Sequence, residues 1–266
     1  MTDTLKYAFE HGGQDVAVQL DCLERYLDPI TAQRLAGPVV HPGDHCWEVG
    51  AGGGSVARML ARAAGSDGMV VATDLDTSHL SRLRGVVVRT QDLRTDPVPA
   101  GGPFQLIHAR LVLLHLPERR AILRNLAGAL APGGWLVVEE FDCTATPRVL
   151  RSPYPAAEKL FTQVLDGVLD ALRQRGADLA WAQEVYGEMA AVGLTDIDAL
   201  VHAQSWAGGS PGARLYEVNC RQLQPKLVDA GYDMASLRRF QSLMWDPHFA
   251  AFSYQFVSTR GRRPLD

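Results

Sequence analysis

The chain has 266 residues, 47% of them hydrophobic, a formal charge of -4 and a pI of about 6.1. That is enough apolar material for one packed α/β domain with insertions. The charge balance excludes a basic field of the kind that recruits nucleic acid or an anionic membrane, the one basic cluster being the short Arg260-Gly261-Arg262-Arg263 end.

In chain order, residues 14–36 read as helical, because Val16, Leu20, Leu23 and Leu27 recur at helical spacing. Asp28-Pro29 predicts a restart there, with Asp as N-cap and Pro at the first position, and Gly37-Pro38 ends the segment. His41-Pro42-Gly43-Asp44 is a turn into a first strand at about 45–49, followed by a helix at about 54–64. A second strand, 69–73, ends at Asp74, and a helix is expected from Thr77. Strands at 86–90 and 104–109 follow, then a helix from Pro117 through Leu130 that Pro132-Gly133-Gly134 closes, and a strand at 135–139. Apolar strands alternating with amphipathic helices imply a parallel sheet covered on both faces, which binds ligands at the carboxyl ends of its strands.

After Cys143 the pattern changes. Helices are expected at 154–175, 178–192, 213–230 and 234–244, a strand at 195–206, a loop over 208–212 and a final strand at 249–257. With no repeat or low-complexity linker, the chain reads as one domain. Residues 1–40 form a helical cap, 41–145 the core, 146–248 helical insertions around the sixth strand, and 249–266 the last strand with a basic tail. The four cysteines, Cys22, Cys46, Cys143 and Cys220, form no CxxC pair, so no metal motif is visible. The N-terminus has no apolar leader and no stretch reaches membrane-spanning length, so a soluble, cytoplasmic protein is expected.

The chemistry concentrates at Glu48-Val49-Gly50-Ala51-Gly52-Gly53-Gly54-Ser55, where a strand runs through a glycine turn into a helix N-terminus. Such a corner admits close backbone approach and offers unpaired N–H groups to a nucleotide-like ligand. The dinucleotide fingerprint requires a third glycine where Ser55 stands, which disfavours a nicotinamide cofactor.

Together with Asp74 in Ala72-Thr73-Asp74-Leu75-Asp76, with Gln91-Asp92-Leu93, and with the stretch from Phe104-Gln105-Leu106-Ile107-His108-Ala109-Arg110 to Pro132-Gly133-Gly134-Trp135, this corner resembles the class I S-adenosylmethionine (SAM)-dependent methyltransferases of small-molecule type. The resemblance covers residues 40–145 in its motifs and the rest loosely. It implies an α/β, Rossmann-like, doubly wound seven-stranded sheet, mostly parallel with an antiparallel last strand, carrying helical lid insertions. It also implies S-adenosyl-L-methionine as cofactor. Gly50, Ala51 and Gly52 would pack against its methionine part, Asp74 would accept both ribose hydroxyls, and Asp92 the adenine amino group. Leu75 and Leu93 would sandwich the ring, the Ala109 carbonyl region would meet the methionine ammonium with Arg110 beside it, and Glu48 would fix the loop or that same end.

For the reaction itself, His115 in Leu113-Leu114-His115-Leu116-Pro117 is the candidate base, since an imidazole can take a hydroxyl proton near neutral pH. His108 is expected to be packed within its strand, and Glu139, Glu140 and Asp142 to end the fifth strand at the pocket rim. A roof of aromatics (Tyr7, Phe9, Tyr26, Tyr154, Phe161, Trp181, Tyr186, Trp206, Tyr216, Phe240, Trp245) suits a small hydrophobic or aromatic specialised metabolite. The expected partner is therefore a small-molecule substrate, not nucleic acid or membrane, with a homodimer left open. The acceptor atom stays open among O, N and C. The alternative is a cyclisation or rearrangement on the same fold, with SAM bound and not consumed.

Overall fold

The structure is a computed structural model that describes residues 14–36, 39–80 and 83–265. The Gly37-Pro38 helix stop and the roof residues Tyr7 and Phe9 lie outside the described residues. In chain order the elements are α1 (Gln14–Leu35), β1 (His45–Val49), α2 (Ser55–Ala64), β2 (Met69–Asp74), β3 (Val86–Thr90), β4 (Phe104–Arg110), α3 (Arg119–Ala129), β5 (Leu130–Asp142) and β6 (Val149–Arg151). Then come α4 (Ala157–Arg173), α5 (Trp181–Ala191), β7 (Thr195–His202), β8 (Ser205–Ala207), α6 (Pro211–Gln222), α7 (Gln224–Asp229), α8 (Met234–Leu243), β9 (Ala250–Phe252) and β10 (Gln255–Arg262).

Seven strands form one sheet in the order β3-β2-β1-β4-β5-β10-β7, and β6-β9-β8 form a small second sheet. β1 to β5 pair in parallel, while β10 runs antiparallel to both β5 and β7. This is the seven-stranded, mostly parallel sheet that the sequence implied. Apolar clusters cover both faces, and a third, aromatic-rich cluster joins α1, α4, α6 and α8 around Phe161, Tyr216 and Phe240.

Several local expectations are corrected. α1 runs through Pro29 without a restart, because Tyr26 and Leu27 before it and Thr31, Arg34 and Leu35 after it are all buried. That shared packing outweighs the roughly 3 kcal/mol that an interior proline costs. Thr77 is followed by a 3-10 turn, Ser78–Leu80, where a longer helix was expected. The expected strand at 195–206 divides into β7 and β8, and the expected helix at 213–230 divides at Leu223 into α6 and α7. β5 begins at Leu130 and absorbs Pro132-Gly133-Gly134 as a register shift against β4. The final strand divides at Ser253-Tyr254, and its second half runs on through the supposed basic tail. There Arg260 and Arg262 lie 5.1 and 5.7 Å from the Trp135 ring centroid, so packing on an aromatic face orders the segment. Among the described residues no helix is long and apolar enough to cross a membrane, and no group of His, Cys, Asp and Glu could hold a metal ion.

Candidate functional site

β1 delivers the chain into the glycine turn at the carboxyl edge of the sheet. Gly50 has φ +64°, and a Cβ there would fall 2.3 Å from Val112 Cγ2, so only glycine fits. The Gly52 N–H donates to Asp74 Oδ2 at 2.8 Å, and the Asp76 N–H donates to Asp74 Oδ1 at 3.1 Å. The Asp74 carboxylate is thereby fixed at the end of β2, facing the turn. α1 crosses over this turn, and a Cβ on Gly53 would meet Glu24 Oε1 at 2.3 Å. Ser55, the residue that breaks the dinucleotide pattern, donates its hydroxyl to Asp28 Oδ1 at 2.9 Å, and Arg110 Nη2 donates to the same oxygen at 3.0 Å. A serine at this position therefore ties the start of α2 to α1.

Beneath the turn lies a buried ionic chain. His108 Nδ1 is 2.7 Å from Glu48 Oε2, and Nε2 is 3.2 Å from Glu139 Oε2. Glu139 also accepts from Thr31 Oγ1 at 2.5 Å and from Ser258 Oγ at 2.7 Å. Burial disfavours charge on His108, but the two carboxylates outweigh it and raise the imidazole to about 9, so it is an imidazolium at neutral pH. Burial also pushes Glu139 up, yet His108 and the two hydroxyls hold it below the usual carboxylate range. Glu48 is shifted up by burial, only partly offset by His108. His108 is thus not the merely packed residue expected of it, but the bridge between β1, β4, β5 and α1.

A cavity of about 260 Å³ opens above these elements. Glu48, Gly50, Ala51, Gly52, Asp74, Leu75, Asp92, Leu93, Arg110 and His115 all line it. Ala109 does not. Its side chain is buried in the apolar cluster on one sheet face, because side chains alternate along β4, so any part it takes falls to its backbone carbonyl. Arg94 engages Asp92 with Nε to Oδ1 at 2.9 Å and Nη2 to Oδ2 at 2.6 Å, which holds that carboxyl below its usual range. His115 sits in a 3-10 turn, Leu113–His115, where burial and the nearby Arg119 charge push its imidazole down to about 4. It is neutral at pH 7.

The expected rim carboxylates are corrected. Glu139 and Glu140 are fully buried and point to opposite faces of β5, one to Thr31 and Ser258, the other to the N–H groups of Leu113 and Leu114. The aromatic roof is also corrected. Of the roof residues described, Tyr216 alone lines the cavity, while Tyr26, Phe161, Trp181, Trp206 and Phe240 pack the core and Tyr154, Tyr186 and Trp245 are exposed. The wall from α4 and α6 is aliphatic instead, with Leu165, Val168, Leu169, Leu172 and Leu215, joined by Phe141, Cys143, Asn219 and Tyr254. Sequence reading missed Gln19, Glu24, Asn219 and Tyr254. Gln19 and Glu24 share the α1 spacing of Val16, Leu20 and Leu23, a face read as buried only for its apolar members.

The geometry agrees with similarity at two levels. A profile described as a methyltransferase domain matches residues 23–198, well over half of the chain. The methyltransferase str2 of Strobilurus tenacellus is 36% identical over 97 residues, 36% of this chain and 34% of the relative. A ubiquinone biosynthesis O-methyltransferase of Xanthomonas campestris pv. campestris is 29% identical over 126 residues, 44% of this chain and 52% of that protein. The alignments thus span from about a third to about half the length of these curated relatives. In fold, a putative methyltransferase from Bacillus halodurans superposes with TM-score 0.57 at 16% identity, over 89% of this chain and 99% of that one. A phosphoethanolamine N-methyltransferase 2 of Haemonchus contortus, solved with SAM, superposes with TM-score 0.54 at 13% identity, over 94% and 57%. With the glycine turn, the Asp74 strand end and the sheet order in place, the chain belongs to the methyltransferase domain family.

Proposed function

We propose that the protein is a SAM-dependent methyltransferase whose acceptor is a small, neutral, hydrophobic or aromatic metabolite. The observation that carries this reading is the division of one cavity into two kinds of wall. The glycine turn, Asp74, Asp92 and Glu48 form one, rich in carboxylates and bare backbone. The stretch from Phe141 to Tyr254 on the other side contributes no acidic or basic side chain. The first wall fits a cationic sulfonium nucleoside, since the glycine turn presents bare backbone to the cavity and Asp74 presents a carboxylate already oriented by two N–H groups. The second suits an uncharged molecule, because a charged one would lose its hydration without gaining a partner.

When bound, SAM supplies an electrophilic methyl group, and the chain's own residues align and deprotonate. The aliphatic wall orients the acceptor and excludes water, so that an in-line approach gains from pre-set geometry. His115, neutral at pH 7, accepts the acceptor's proton as the oxygen–methyl bond forms, when attack has made that proton far more acidic than in the free hydroxyl. Oxygen is the acceptor atom in this reading, which the similarity to a ubiquinone biosynthesis O-methyltransferase supports. The similarity to str2 supports the methyltransferase reading.

Calorimetry with SAM and S-adenosylhomocysteine tests the cofactor half, with a Kd of roughly 1–100 µM expected. Transfer of labelled methyl from SAM to a panel of phenols and quinols tests the acceptor half. No binding of either nucleoside, or binding unchanged in Asp74→Ala, overturns the proposal.

A further inference from the structure

The turn that carries His115 is held from below by two buried polar residues that no motif singled out as a pair. β4 is followed by Leu111 at φ +57°, a left-handed conformation that a leucine adopts only under strain. The 3-10 turn at Leu113–His115 follows immediately. Glu140 Oε1 accepts from the Leu113 N–H at 2.8 Å and from the Leu114 N–H at 3.2 Å. Arg119 works on the carbonyls of the same two residues, Nε to Leu113 O at 3.4 Å and Nη2 to Leu114 O at 3.3 Å. Its Nη2 also reaches Gly176 O at 2.6 Å and its Nη1 reaches Asp178 Oδ2 at 3.3 Å, in the connection between α4 and α5. The Asp178 N–H closes the ring on Leu114 O at 2.8 Å.

We propose that Glu140 and Arg119 are positioning residues that clamp the Leu111–Leu116 segment in the strained conformation placing His115 in the cavity. Neither residue lines the cavity, so each acts through the turn. Glu140 is fully buried, and its Oε2 has no hydrogen-bond partner among the described residues. Burial raises the carboxyl to about 8 against the pull of the N–H groups of Leu114, Leu113 and Val112. It is thus a neutral acid at pH 7, with its proton assigned to Oε2 and Oε1 left as acceptor. The charged or titratable groups around the clamp are Arg119 and Arg120 on α3, Asp178, Glu184 on α5, His115 itself and the Cys143 thiol. The proposal rests on the reading of His115 as the base, but its test does not pass through methyl transfer.

The test is made by NMR on the full chain, reading amide exchange at Leu113 and Leu114 and the titration of the 15N-labelled His115 ring, assigned by its loss in His115→Asn. In the parent both amides are protected and the ring titrates near 4. Glu140→Met should speed exchange at both amides at least 100-fold relative to global opening and move the ring toward its ordinary value by at least one pH unit. Glu140→Gln keeps an acceptor oxygen and should leave both readouts as in the parent. Unchanged protection and titration in Glu140→Met, or loss of both in Glu140→Gln, overturns the proposal. Should Glu140→Met not fold, Arg119→Lys, which keeps the charge but loses the fork to two carbonyls, takes its place. Faster exchange and a raised imidazole in that variant support the clamp, and unchanged values overturn it. A methyl-transfer assay on His115→Ala separately decides whether the clamped imidazole is the base.

Discussion

Replacing His108 by leucine removes the one cation between two buried carboxylates. Glu48 is 2% exposed and Glu139 0%, and in the variant they would face each other across the vacated ring position without a bridge. Breaking a buried ionic group by deleting one partner costs about 3–5 kcal/mol. A second route gives a similar size. Moving the imidazole from 6.5 to about 9 on folding is worth about 3 kcal/mol. Because the folded value is the higher one, this stability is fully present below about pH 6.5 and is lost as pH rises through about 9. Glu139 has the opposite sign. Its lowered value contributes stability above its ordinary 4.5 that disappears as pH falls through the folded value. Glu48, raised by burial, costs stability as pH climbs above its ordinary 4.5, which offsets part of the gain from Glu139. The parent should therefore be most stable between about pH 4.5 and 6.5 as far as this chain of groups is concerned. Urea unfolding of parent and His108→Leu at pH 6.0, 7.5 and 9.0 measures the effect. The variant should lose about 3–5 kcal/mol at pH 6.0, and the parent's own stability should fall between pH 6.0 and 9.0 as His108 gives up its proton. A loss under about 1 kcal/mol at pH 6.0, or a parent stability that does not fall between pH 6.0 and 9.0, would refute the reasoning.

Other outcomes follow from the same geometry. Asp74→Ala removes the acceptor that orders Gly52 and Asp76, and calorimetry should find SAM binding weakened about 10- to 100-fold, the cost of about 1.5–3 kcal/mol in charge-assisted hydrogen bonds. Gly50→Ala places a methyl 2.3 Å from Val112 at a positive φ, so thermal unfolding should show about 1–3 kcal/mol lost along with cofactor affinity. His115→Ala should lower methyl transfer about 10²- to 10⁴-fold while SAM affinity stays within about threefold. In the parent the base form persists as pH falls until the imidazole takes a proton near 4, so the rate should show no acid limb between pH 5.5 and 7.5 from this group. A limb near pH 6.5 that disappears in His115→Ala would contradict the lowered value of its imidazole.

Much of the carboxylate-rich wall was legible in short motifs and in the family resemblance they carry. A glycine turn between strand and helix, an acidic residue closing β2 and an Asp after β3 are each set by a few neighbouring residues, and the parallel sheet brings strand ends to one edge by its own geometry. Strand and helix periods likewise exposed the core face of most elements. What periodicity could not show is which of two adjacent carboxylates serves which face. Glu139 and Glu140 look alike in sequence, yet alternation along β5 sends one to His108 and the other to the His115 turn. Nor does any local signal connect Thr31, His108 and Ser258, which meet at Glu139 only because α1, β4 and β10 pack against β5. The acceptor wall was the least legible part. Its aliphatic residues from α4 and α6 read as ordinary core until tertiary packing turned them toward a cavity, while the aromatics that promised a roof were used to join helices. The sequence by itself determined the sheet, the glycine corner and the acidic strand end, because those depend on backbone conformation and short-range spacing. The depth of the cavity, the charge on His108 and the neutrality of His115 were decided by tertiary structure, because burial and the pairing of distant charges exist only once the chain has folded.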